Sequence, residues 1–329
     1  MHIRKAIHKM RFYVSSFGSY IMPRQWYRWQ RRLLFRSLSE EERAVIRQRV
    51  DYYVRCLPTK TSMPTPGDGV RTTTVAGYKF PFGEKHKHSA YFFDLYRVVR
   101  YFPSHMHISY LFGDVTHEPA TPTIVKSRPV GKGATNSVVL KLNSVRHFRF
   151  FSDNMNYRDK RDMIVFRNVV RQPHRKLFME MFFNHPLCDA GKINADGGHD
   201  EWLRPFMSVA DQLKYKFVAC IEGNDVATNL KWVMASNSVA VMPRPHYETW
   251  FREGLLQPGV HYIEVADDYH DLEEKLKYYI EHPDEAEQII SNAHEYVKQF
   301  ANQRLEKLTQ VAVLDEYLQR TGETDRSLL

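Results

Sequence analysis

Cysteine is scarce. Cys56, Cys188 and Cys220 are far apart, odd in number and outside any C-x-x-C spacing. This excludes a disulfide framework and points to a reducing compartment. Cys220, inside an apolar run, reads as a small core hydrophobe. Long apolar runs are also missing, since none approaches the roughly 18 residues of a membrane span. The N-terminus lacks a continuous apolar segment with a small-residue cleavage site, so no secretory signal is expected. His86/His88 and His105/His107 alternate like strand or loop residues, with no cysteine nearby and no acidic cluster beyond Glu84, so zinc is not expected. No local Ser–His–Asp or Cys–His signature occurs.

Acid is missing from residues 1–36, which carry nine Lys or Arg. The rest of the chain balances 38 basic against 38 acidic residues, so the net charge of +9 is an N-terminal feature. Phe12, Tyr13, Phe17, Tyr20, Trp26, Tyr27, Trp29 and Phe35 interleave with those cations. Three readings stand open. The segment is a helical hairpin packed on the domain behind it, a surface for an anionic membrane, or a nucleic-acid contact, for which no motif is present.

The 329 residues suggest two domains, and 43% hydrophobic content can fill two cores. Helices are expected over 39–56, with Ser39 and Glu42 as a capping box, and over 89–102, where Ser89 is a cap and Pro103 a stop. Residues 58–70 form a Pro/Gly/Thr-rich loop. Strands are expected in 106–114, 121–129 and 137–142. After a polar boundary at 143–162, strand and helix alternate. DMIVFRN leads to a helix stopped by Pro186, and residues 189–200 read as a loop. A helix around Pro205 leads to KYKFVACIEGNDVATNLKWVMASNSVAVM (214–242), which reads as strand, tight turn, helix Val226–Ala235, strand. VHYIEV, a helix over 271–283 and one long helical segment over 284–321 complete the chain. Alternation of this kind argues for α/β structure with parallel sheets.

The turn after Ile221 is the first candidate site. Ligands of open α/β sheets bind beyond the carboxyl ends of strands. Gly223 lets backbone approach a ligand, and Asn224 or Asp225 would cap the following helix, whose N-terminus would attract an anion. It is neither a G-x-G-x-x-G nor a P-loop, and a plain structural turn also accounts for it. FRNVVRQPHR (166–175) is a second strand-to-helix junction, with Arg167, Arg171 and Arg175 suited to a diphosphate or to surface salt bridges. Asp114 follows a strand end, where a carboxylate can act as a general base or simply shape a turn. Glu222 and Glu248 lie near the expected crevice, and Asp94 reads as structural.

These segments, with SNSVAVMPRPHYETWFREGLLQPGVHYIEVADDYHDL, resemble glycosyltransferase family 90. Its pattern is a KYK strand, an acidic-Gly turn, then Y-E-x-[WF]-F, L-x-P and HY, met at Tyr247, Glu248, Trp250, Phe251, Pro258, His261 and Tyr262. Phe166, Arg167, Pro173 and Arg175 fit its F-R-G-x-x-x-x-P-x-R. YLFGDVTHEP resembles the segment that carries the catalytic aspartate, and Asp114 is the matching position. PFGEKHKHSAYFFDLYRVVRYFP and KSRPVGKGATNSVVLKLNSVRHFRF are similar to the bacterial lipopolysaccharide core branch. Two positions depart: Asn168 replaces the Gly after F-R, and Asn229, with Lys231 nearby, replaces an Arg of the turn–helix segment.

The resemblance implies an α/β fold of two facing Rossmann-like domains, the GT-B type. An acceptor domain would span 1–150 and a donor domain 151–329, the latter including a long C-terminal helix. It implies an inverting transfer of a hexose from a nucleotide sugar, a UDP-hexose, to a lipopolysaccharide core oligosaccharide, without a cofactor. No D-x-D pair occurs, so no metal is expected. Asp114 would be the base. Arg167, Arg171, Arg175, Gly223, Asn224, Asp225, Thr228, Asn229, Lys231 and Glu248 would hold the donor, and Lys126 and Arg128 would meet an anionic acceptor. Location would be cytoplasmic, peripheral on the inner face of the cytoplasmic membrane, with residues 1–36 on the anionic surface. The Asn229 departure leaves open a catalytically inactive sugar-nucleotide-binding or scaffold protein. A nucleic-acid-binding role rests on the basic pI alone.

Overall fold

A computed structural model describes residues 2–56, 69–80, 88–131 and 133–329, with side chains from residue 7 onward. The expected 58–70 loop falls largely outside these residues, and so does His86. The chain divides into two compact units, residues 1–146 with 247–251 and 300–329, and residues 147–246 with 252–299. The last helix lies in the first unit.

In the first unit, helices α1 (His2–Ile21), α2 (Arg24–Arg36) and α3 (Glu40–Tyr53) precede β1 (Arg71–Thr74) and α4 (Ser89–Val99). Then come β2 (His107–Tyr110), β3 (Thr123–Val125), β4 (Ser127–Pro129) and β5 (Ser137–Val139). A short helix, α5 (Ser144–His147), spans the division. The main sheet has the order β1-β2-β3-β5. Its β1–β2 pair is antiparallel, and β2–β3 and β3–β5 are parallel. Ser39 and Glu42 form the expected capping box and start α3. The N-cap of α4 is His88 rather than Ser89, which sits inside the first turn.

The last helix, α11 (Gln303–Arg320), closes this unit. The expected single segment over 284–321 is in fact two helices, because the Asn302 side chain accepts from Leu305 N and begins a new one. Buried Glu306 of α11 gathers Arg49 and Lys141, each at 2.5 Å, and the Trp250 indole N–H at 2.9 Å. Tyr53 stacks on Trp250 with ring centroids 4.0 Å apart.

The second unit holds a fully parallel five-stranded sheet. Its strands are β6 (Arg161–Asn168), β7 (Cys188–Lys192), β8 (Tyr215–Ala219), β9 (Val239–Met242) and β11 (Ile263–Glu264), in the order β11-β9-β8-β6-β7. Between them run α6 (Pro173–Phe182), α7 (Val209–Gln212) and α8 (Leu230–Val233), and α9 (Leu272–Glu281) and α10 (Pro283–Lys298) follow. β10 (Tyr247–Thr249) leaves this sheet and pairs antiparallel with β4 in the first unit. β8 and β9 are buried at every position. Their near-continuous apolar runs reflect a sheet covered on both faces. Phe166, Phe178, Phe217, Val241 and Leu276 belong to one core.

Two expectations change here. The start of the expected loop 189–200 is instead β7, whose Asp, Ala and Gly carry little β-propensity. Gly191 explains the choice: a Cβ there would lie 2.6 Å from Arg204 Cβ and 2.8 Å from Arg167 Nη1. The helix expected over 226–235 has four residues, Leu230–Val233, preceded by a longer irregular turn. With one turn of helix there is no extended row of aligned peptide dipoles, so the expected helix-end attraction for an anion falls away. Among the described residues, no helix is long and apolar enough to cross a membrane.

Candidate functional site

In the second unit, β6, β8 and β9 are neighbours and parallel, so their carboxyl ends emerge side by side. Arg175, in the first turn of α6, ties two of these ends together. Its Nη1 donates to the Val169 carbonyl beyond β6 at 2.8 Å. Its Nε and Nη2 donate to the carbonyls of Glu222 at 2.8 Å and Ile221 at 2.7 Å, beyond β8. Pro173 in the first turn lacks an N–H that the helix could not use, and Gln172, in extended conformation, supplies the N-cap. The His174 ring nitrogen Nε2 donates to the same Glu222 carbonyl.

The third strand end joins through Glu222. Its carboxylate accepts from the His246 backbone N–H at 3.1 Å and lies 3.3 Å from His246 Nδ1, just beyond β9. Gly223 approaches Arg175 closely, because a Cβ on it would sit 3.4 Å from Nη2. Its N–H donates to the Asp225 carbonyl at 2.9 Å, which closes the turn. Exposed Asn224 accepts from Gln172 Nε2 at 2.8 Å, while Asp225 is buried. Thr228 is half-buried. Asn229 donates to the Ala219 carbonyl at 3.0 Å, which anchors the turn to β8.

The expected arginines divide. Arg167, at the end of β6, turns toward β7 and pairs with Asp189 at 2.5 Å, and Tyr215 donates to the same carboxylate. Arg171 is more than half exposed and pairs with Asp196 at 2.7 Å. Lys231 is buried in an ion pair with Glu253, and Arg244 is exposed beside Glu264 at 3.2 Å. Lys231, expected at the donor, is thus committed to a buried carboxylate.

Tyr269 comes from further along the chain. Its ring packs edge-on against Phe178, and its buried hydroxyl has no hydrogen-bond partner among the described residues. Burial raises its pKa; Arg175, Asp267 and Glu222 also act on it electrostatically. The sequence reading passed over His174, His246 and Tyr269. Only their places beyond strand ends could have signalled them.

In the first unit, Asp114 follows β2 and its Oδ1 accepts from Lys126 Nζ at 2.5 Å. Ser127 Oγ bridges the neighbouring backbone, accepting from Val115 N at 3.2 Å and donating to Val115 O at 3.1 Å. Lys126 and Arg128, expected to face an anionic acceptor, are instead buried, because both face inward from the β3–β4 segment. Arg128 Nε donates to Glu248 Oε1 at 2.8 Å and its other nitrogens to backbone carbonyls. Glu248, expected at the donor, is 1% exposed; it also binds Arg55 and Tyr52. Arg128 on β4 and Glu248 on β10 form a buried ion pair, with half-buried Arg55 joining it.

Residues 143–319 match the family model described as glycosyl transferase family 90. The chain is 42% identical over 313 residues to "O-glucosyltransferase LpsA" of Dichelobacter nodosus, covering 94% of this chain and 95% of that protein. It is also 32% identical over 105 residues to "Protein O-glucosyltransferase 2" of Danio rerio, covering 30% of this chain and 21% of that one. A match over more than half of the chain, and a relative aligned nearly end to end, lead to one conclusion: the chain belongs to glycosyl transferase family 90 and is a glycosyltransferase.

Proposed function

We propose that this enzyme is a GT-B type, inverting, metal-independent glycosyltransferase. It moves a glucose from UDP-glucose to a hydroxyl of a lipopolysaccharide core oligosaccharide. The relative of similar length, named an O-glucosyltransferase, supports the choice of sugar. The enzyme works as a peripheral protein at the inner face of the cytoplasmic membrane, where a lipid-linked acceptor is built.

The observation that carries the reading is the meeting of three parallel strand ends around Arg175, Glu222 and Gly223. It supports a donor site built from Gly223, Asn224, Asp225, Thr228 and Asn229, with Arg167, Arg171 and Arg175 as its cations. These guanidiniums stabilise the leaving diphosphate as negative charge develops on it. Asp114 takes the acceptor hydroxyl proton while that oxygen attacks the anomeric carbon opposite the diphosphate. Lys126, at 2.5 Å, holds the Asp114 carboxylate in place.

Thermal unfolding with UDP and a panel of UDP-sugars in EDTA tests this, because a ligand of the folded state raises Tm. A shift with UDP-glucose, followed by glucose transfer to core acceptor, is the expected result. A protein that binds UDP but neither hydrolyses nor transfers the sugar would instead be a scaffold of the same fold.

A further inference from the structure

Helices α1 and α2 have two apolar faces, and among the described residues only one is covered. On the inner face, Phe12, Tyr27 and Phe35 are buried. Tyr13 meets Phe93 of α4 edge-on at 5.9 Å, and Tyr27 meets Tyr101 at 5.4 Å. Arg24 and Arg28 hydrogen-bond backbone carbonyls of the same unit. This is the packed hairpin that composition allowed.

The outer face is different. Met10, Val14 and Ile21 on α1 are 58%, 66% and 79% exposed. Trp26, Trp29 and Leu33 on α2 are 42%, 63% and 45% exposed. Their spacings of three, four or seven residues put them on one side of each helix, within an arc of roughly 60° at 3.6 residues per turn. Large apolar side chains repeated this way on a surface mark an interaction site. Lys9, Arg11, Arg32 and Arg36 are exposed on the same two helices, with no acid among residues 1–36.

Charge decides what covers the stripe. A second copy would bring an equally basic, acid-free hairpin against this one, with no carboxylate to offset it. An anionic bilayer offers both a hydrocarbon layer for the stripe and negative headgroups for its cationic flanks. We infer that the outer stripe of α1 and α2 inserts into the interface of an anionic membrane, with Val14, Ile21 and Trp29 as its deepest anchors. This deepens the peripheral placement proposed above. Its test reads membrane binding alone, so it can fail while the glycosyl-transfer reading stands.

The experiment is co-sedimentation of the full chain with vesicles of phosphatidylcholine alone or mixed with phosphatidylglycerol. Binding is expected to the mixed vesicles, with a blue shift of tryptophan emission. Val14→Glu/Ile21→Glu/Trp29→Glu is expected to weaken partitioning at least ~tenfold with Tm unchanged, since these side chains are mostly exposed. Arg32→Glu/Arg36→Glu, which leaves the stripe intact, is expected to lose the preference for anionic lipid. Equal partitioning of wild type and the triple variant overturns the proposal. So does a dimer in sedimentation velocity that the triple variant dissociates, which would assign the stripe to a second copy.

Discussion

Lys126 Nζ sits 2.5 Å from Asp114 Oδ1, and the two ends of that contact differ in exposure, the Lys side chain at 2% and the Asp at 32%. A buried cation thus orients a carboxylate that still reaches solvent. With Asp114 as the proposed base, Asp114→Asn should lower kcat by about 10²–10⁴-fold. Lys126→Met should lower kcat by about 10²-fold through misplacement of the carboxylate, with the donor KM unchanged. Steady-state kinetics separates the two. A donor KM that rises with either substitution would remove Asp114 from the acceptor side.

Arg171 and Arg175 should behave differently. Arg171 is exposed, and its pair with Asp196 is screened by water and adds little to stability. Arg171→Ala is therefore expected to leave Tm within a degree or two while raising the donor KM about tenfold, the loss of a charge-assisted bond to diphosphate. Arg175→Lys cannot reach three carbonyls. It should cost about 1–3 kcal/mol of stability as well as donor affinity. Denaturant melts alongside UDP titration check both.

The cluster on β4 and β10 should be a stability element. Glu248 accepts from Arg128, Arg55 and Tyr52, all drawn from distant parts of the sequence. Glu248→Ala leaves Arg128 charged and buried, at a cost of about 3–5 kcal/mol. The expected signature is a large fall in Tm. Unchanged Tm with raised donor KM would return Glu248 to the donor site.

Burial raises two carboxyls in the first unit. Asp94 rises to about 6, and backbone and hydroxyl bonds from Ser144 only partly offset its burial. Asp315 also rises to about 6, chiefly by burial. Both folded values exceed the solution value of 3.8. Between these limits the folded state binds more protons than the unfolded state, so these groups lower stability as pH rises from about 4 to 6. Asp94→Asn/Asp315→Asn should show a shallower decline across that window. Melting curves of both proteins from pH 4 to 7 decide it, and parallel slopes would refute the assignment.

Gly191 is a packing prediction. Gly191→Ala would drive a methyl against Arg204 and Arg167 and should cost about 1–3 kcal/mol. The measurement is the urea midpoint. A neutral change would mean that the Arg204 side chain swings away freely.

The sequence by itself determined the α/β alternation, the Ser39–Glu42 cap and the strands that carry Arg167 and the Ile221 turn. These follow from periodicity and local hydrogen bonding, which act over a few residues. Its motifs also determined the family. Tertiary structure decided the rest. β7 exists because Gly191 lets it pass Arg204, although its own residues disfavour a strand. α8 is a single turn whose N-cap, Asn229, is tied back to Ala219. Lys126, Arg128, Lys231 and Glu248 read as ligand-binding charges along the chain, yet each is buried against an opposite charge brought from elsewhere. A charged side chain's burial depends on which distant group meets it, and no local pattern encodes that meeting.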